Sequence, residues 1–184
     1  EEDTGEDYWV GGVQVEQKLG DKLTVGAAAV QEDDPVDAYQ LGSVNASLKL
    51  AENTKIIAEF AQSDRESKDM GKASRAELTH VQGRLNARVY YGESDTAFDN
   101  PAAPLSSGRA ESGVKLQVNM NSWGSLNTEA IRTENTSTGG VRHGVKATVT
   151  RSINQYLSAE LGGRFYDETA VPTNNIGLGV TPYE

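Results

Sequence analysis

The chain has no cysteine, which excludes disulfides and thiolate metal sites. No stretch approaches the ~18 consecutive apolar residues of a membrane-crossing helix, so any membrane role must go through strands. Basic charge is scarce: 17 Lys and Arg stand against 27 Asp and Glu, a formal net charge of -10, with an isoelectric point near 4.7. That balance argues against nucleic-acid binding, which needs a basic stripe to neutralise phosphates. Catalytic spacing is missing as well. His80 and His143 are the only histidines, neither has the acid and serine spacing of a triad, and the metalloprotease and P-loop patterns are absent. The chain is read as a non-enzyme with no cofactor and no metal ligands, and each histidine as a polar strand residue.

What is present is a rhythm. Short turns are expected at Leu19-Gly20-Asp21-Lys22, Ala51-Glu52-Asn53-Thr54, Val81-Gln82-Gly83, Asn121-Ser122-Trp123-Gly124 and Ser152-Ile153-Asn154-Gln155. Between them lie longer polar connections at about 31–37, 64–71, 94–109, 135–139 and 167–173. The segments in between alternate strictly. Val44, Ala46, Leu48 and Leu50 share one face while Ser43, Asn45, Ser47 and Lys49 share the other. The same period of two places Val114, Leu116, Val118 and Met120 opposite Lys115, Gln117, Asn119 and Asn121. Helical spacing would repeat every three to four residues, so these are half-buried antiparallel strands with one wet face.

Roughly eleven strands follow from the pattern. They span about 8–19, 22–31, 38–50, 55–63, 73–81, 84–93, 110–120, 125–134, 140–151, 156–166 and 174–180. Most have the roughly 9–11 residues that cross a bilayer when tilted, against about five or six in a globular sandwich. The fold class is therefore all-β, an antiparallel up-and-down meander of about 10–12 strands, forming a transmembrane β-barrel or part of a larger one. A mean hydropathy of -0.55 is compatible with that, because only alternate residues of a barrel face lipid. Residues 1–184 are read as one domain.

The polar face assigns Lys49, Glu59, Arg84, Arg88, Lys115, Glu129, Arg132, Lys146, Glu160 and Arg164 to a lumen, since mid-strand charge is costly against lipid and acceptable against water. Such a lining can conduct ions or small polar solutes, or form a charge-paired interior that conducts nothing. Tyr8, Trp9, Tyr39, Tyr90, Tyr91, Trp123, Tyr156, Phe165 and Tyr166 fall near strand ends and are expected in interfacial girdles. The 94–109 connection, stiffened by Pro101 and Pro104, is expected to be unstructured, with a folded-in or partner-binding loop as the alternative. Gly177 and Gly179, between Ile176, Leu178 and Val180, read as part of a strand. Asn45-Ala46-Ser47 and Asn135-Thr136-Ser137 match a glycosylation acceptor pattern, which is incidental if the chain is bacterial, as the resemblance below implies.

The stretch Ala76-Glu77-Leu78-Thr79-His80-Val81-Gln82-Gly83-Arg84-Leu85-Asn86-Ala87-Arg88-Val89-Tyr90-Tyr91, with Ser94-Asp95-Thr96-Ala97-Phe98 after it, resembles the strand pair and loop of large C-terminal barrels in proteobacterial surface proteins. Residues 126–135 and 156–165 are similar to the same porin-like, OmpA-family-labelled proteins. The resemblance implies a bacterial outer-membrane location, with membrane lipid and lipopolysaccharide as surroundings and a surface protein or polysaccharide as candidate ligand. It supplies no catalytic residues. A sequence opening on Glu1-Glu2-Asp3 and closing on Thr181-Pro182-Tyr183-Glu184, with an odd strand count, is expected to be a piece of a larger barrel. The function expected is anchorage of surface loops or domains, with passive solute transport through a charged lumen. The alternatives are a porin-type channel as the main role, and a soluble secreted β-sandwich or β-solenoid that binds polysaccharide or protein.

Overall fold

A computed structural model describes residues 8–100 and 107–169. Ten strands run in chain order: β1 (Val10–Leu19), β2 (Leu23–Glu32), β3 (Tyr39–Ala51), β4 (Thr54–Arg65), β5 (Lys68–Gln82), β6 (Leu85–Ser94), β7 (Arg109–Asn119), β8 (Ser125–Asn135), β9 (Val141–Ser152) and β10 (Ser158–Thr169). One short 3-10 turn, Asn121–Trp123, joins β7 to β8. The strands form a single antiparallel sheet in which each pairs with its sequence neighbours, in the order β1 to β10. Among the described residues no ladder joins β1 to β10. The expected segment 174–180 lies outside the described residues.

The turn chemistry follows the sequence. Gly20 and Gly83 take φ of 70° and 57°, a left-handed conformation that glycine adopts without a steric penalty. Asn135 closes the β8–β9 connection by accepting the Ser137 and Thr138 amides on Oδ1, so this acceptor-pattern asparagine has a turn role.

Three expectations are corrected at the long-loop end. The 64–71 connection is a tight turn at Glu66-Ser67, because β4 continues to Arg65 and β5 starts at Lys68. The last described strand starts at Ser158 and runs to Thr169, past the predicted end at 166. Third, Asp95–Asp99 of the 94–109 connection folds against the sheet, while 101–106 lies outside the described residues.

Register makes the sheet two-faced. On one face Leu19, Leu23, Leu48, Ile56, Leu78, Val89, Val114, Ala130, Val145 and Phe165 are successive cross-strand partners, one from each of the ten strands and all apolar. Val13, Val15, Val44, Phe60, Leu85, Leu116, Val149 and Leu161 widen that row into a belt, and all eight are exposed. No second layer covers it among the described residues, although a sheet with an apolar face ordinarily buries that face against another element. The exposed belt is on the order of 1,000 Å², above the ~300–600 Å² of the largest patch on an ordinary monomer. At ~25 cal/mol per Å², removing it from water is worth about 25 kcal/mol.

The belt also drifts across the hydrogen-bonded rows. The row containing Val15 of β1 reaches β10 at Thr169, while the belt on β10 is Leu161 and Phe165. An offset of about six residues at ~3.3 Å, over nine ~4.8 Å strand spacings, corresponds to strands leaning ~25° against the belt.

Candidate functional site

The opposite face is polar and carries the charge. From β3 to β10 its most basic row is Lys49, Lys55, Thr79, Arg88, Lys115, Glu129, Lys146 and Arg164, each the cross-strand partner of the next. Lys115 Nζ lies 2.7 Å from Glu129 Oε1. Arg88 is 2.7 Å from Glu77, which also takes Arg75 at 2.9 Å, so one carboxylate bridges β5 and β6. Two residues further along, Arg109 pairs with Glu111 at 2.7 Å and reaches Thr133. Toward the short turns Asn86, Gln117, Asn127 and Thr148 follow, and with Arg88, Lys115, Lys146 and the carboxylates Glu129 and Glu160 they line a recess of about 420 Å³.

Two tyrosines hold this face in shape. A Cβ on Gly113 would stand 2.6 Å from the Tyr90 ring, and one on Gly144 would stand 2.6 Å from the Tyr166 ring. Each ring therefore lies flat over a bare glycine on the neighbouring strand, and each carries a guanidinium: Arg88 at 5.1 Å from the Tyr90 centroid and Arg142 at 4.6 Å from that of Tyr166. The ring covers backbone that glycine leaves open, a device that pins register in curved sheets.

At the long-loop end the connection after β6 is latched onto the polar face of β3–β5. Phe98 is 3% exposed, and its backbone occupies the space a Gly71 side chain would need. Tyr39, also 3% exposed, donates its hydroxyl to the Asp99 carbonyl at 2.6 Å, and the Asp99 amide donates to Ser63 Oγ at 2.9 Å. Arg65 lies 3.0 Å from the Asp99 carboxylate and 2.9 Å from that of Asp37, stacked 4.7 Å from the Tyr39 centroid. Asp95 ties the start of the loop by accepting the Lys72 and Phe98 amides. The Arg65 side chain, followed by hydrogen bonding from Ser67, holds the Asp37 carboxyl below its ordinary range.

The candidate lumen residues divide. Lys49, Glu59, Arg88, Lys115, Glu129, Lys146, Glu160 and Arg164 share the polar face, and Glu160 accepts from Thr150 at 3.2 Å. Arg84 lies in the turn before β6. Arg132 is corrected: it stands on the apolar side, in the row of Tyr91, Ser112 and His143, paired with Glu134 at 2.7 Å near the long-loop end. Three and not two residues separate it from Glu129, so the two cannot share a face.

The candidate girdle divides too. Tyr8, Trp9, Tyr91, Trp123, Tyr156 and Phe165 are exposed at strand ends, turns or the belt. Tyr39, Tyr90 and Tyr166 are corrected to the polar face, where the first seals the latch and the others cover glycines. Sequence reading also missed Lys55, Arg75, Glu77, Arg65, Asp37 and Asp99, whose roles depend on cross-strand register and on loop return. His80 hydrogen-bonds Thr54 Oγ1 at 2.8 Å on β4–β5, while His143 stands on β9 beside Arg132 and Asp167. No catalytic pair is built from the two. Comparison with family models, curated proteins and solved structures finds no match for this chain.

Proposed function

We propose that the chain forms the wall of a transmembrane β-barrel in a bacterial outer membrane, with its apolar belt against lipid and its charged face lining water. The observation that carries this reading is the unbroken apolar row from Leu19 on β1 to Phe165 on β10, uncovered by any described element. A water-soluble sheet would leave about 25 kcal/mol of burial unrealised there, while a bilayer core supplies it. A leaning sheet is also what a level belt on barrel strands requires.

The opposing face supports the other half of the proposal. Ion pairs such as Lys115–Glu129 and Arg88–Glu77 are unfavourable against hydrocarbon and tolerable beside water. Strand backbone can cross a bilayer only when every donor and acceptor is paired, so the edges of β1 and β10 must pair with each other or with further strands. In that arrangement the barrel holds its long-loop end at the cell surface and lets ions or small polar solutes pass through the lumen. Expression with and without native flanking sequence, refolding into detergent micelles and gel migration before and after boiling test the barrel. A compact, boiling-sensitive form supports it. A chain that is folded and monomeric in plain buffer refutes it and makes a secreted binding module the better account.

A further inference from the structure

The basic row on the polar face has a composition opposed to that of the whole molecule. It holds six cations and one carboxylate, in a chain of net charge -10. Arg88 and Lys115 are neutralised by Glu77 and Glu129. Lys49, Lys55, Lys146 and Arg164 face no carboxylate within ion-pair distance among the described residues. The adjacent row toward the long loops carries only Lys18 and Glu77, and the one beyond it is different in kind, with four carboxylates, Glu16, Glu59, Glu111 and Glu168, against Arg75 and Arg142.

The acidic loops do not cancel this excess. On β4 the basic row passes through Lys55, and the long-loop end is Arg65, ten residues and so ~33 Å away. A Debye length in physiological salt is ~8 Å, so the two regions are electrostatically separate. Walls of low dielectric concentrate the field of charges that line a water-filled passage.

We propose that this row is an anion-selecting ring, which admits small inorganic and carboxylate or phosphate-bearing anions in preference to cations. The amides of Asn86, Gln117 and Asn127 beside it offer neutral donors to a partly dehydrated anion. This proposal rests on the barrel reading, and its test separates the two.

The chain with its native flanking sequence is refolded and inserted into planar bilayers of neutral phosphatidylcholine, and the reversal potential is read across a KCl gradient. The ring predicts a chloride-to-potassium permeability ratio above one, falling about threefold or more in a K146E/R164E double variant. Lys68→Glu, which removes the 3.4 Å pair with Asp99 at the latch, is predicted to leave the ratio unchanged. A cation-selective or unselective channel overturns the ring and leaves the barrel standing. So does a protein that migrates as a boiling-sensitive barrel, inserts and passes no current. A chain that never acquires the boiling-sensitive form overturns the barrel itself and the ring with it.

Discussion

Replacing Leu116 with arginine separates lipid from water at the belt. Leu116 is 40% exposed, lies between Val114 and Val118 on the apolar face of β7, and pairs across to Ala87 and Thr128. If this face meets hydrocarbon, an arginine near the bilayer midplane costs ~2–4 kcal/mol, which is about 30- to 1,000-fold in the folding constant. If the face meets water, a substitution at a site this exposed stays within ~0.5 kcal/mol, plus about 1 kcal/mol for lost contact with neighbouring side chains. Ser112→Arg supplies the depth control. It stands on the same face four residues and so ~13 Å toward the long-loop end, in the row of Tyr91, Arg132 and His143, where the cost is predicted to fall to ~0–1 kcal/mol. The assay is reversible urea unfolding from phosphatidylcholine vesicles, followed by emission of Trp9 and Trp123. Equal and small losses at Leu116 and Ser112 would refute the assignment of this face to lipid.

Three further outcomes follow from the polar face and the latch. Gly113→Ala is predicted to displace the Tyr90 ring and destabilise the sheet by about 1–3 kcal/mol, with most of the loss absent in a Tyr90→Ala background, as read by a double-mutant cycle in urea. Gly71→Ala is predicted to unseat Phe98 and expose the Asp95–Asp99 segment to protease while leaving the heat-modifiable migration intact. Asp37 has a lowered pKa in the folded chain, so its contribution to the latch is fully present above the unfolded carboxyl value of ~3.9 and is lost as pH falls through the folded value. Protease sensitivity of the latch is therefore predicted to be flat from pH 8 to about pH 5 and to rise below about pH 4, and to lose that dependence in Asp37→Asn.

The strands were legible because alternation is a local property. Ser43–Leu50 and Gly113–Asn121 carry their face assignment in period two, and the structure adds only the partner on each side. Strand ends beyond the belt were harder to read. Residues 64–71 look like a loop because they are polar, yet above the belt neither face of β4 or β5 needs apolar side chains, and the ladder continues through them. Chemistry read without parity misplaced Arg132, whose charge matched the lumen while its position did not. Tyr90 and Tyr91 are adjacent and must face opposite sides, as must Phe165 and Tyr166. The glycines that take the inward-facing rings, Gly113 and Gly144, are visible as partners only once register is known. The latch is a return of the chain across 36 residues, from Asp99 to Ser63, which no local pattern encodes.

The central claim is that alternate residues of each strand meet lipid and water, and the absence of native cysteine makes it directly measurable. Single cysteines placed in turn at Val114, Lys115, Leu116, Gln117 and Val118, labelled with an environment-sensitive fluorophore after insertion into vesicles, report the surroundings of each side chain. The account predicts a period of two. Positions 114, 116 and 118 should be blue-shifted and quenched by lipid-borne quenchers, while 115 and 117 should be red-shifted and quenched from the aqueous phase. Uniform aqueous quenching along the strand would contradict it.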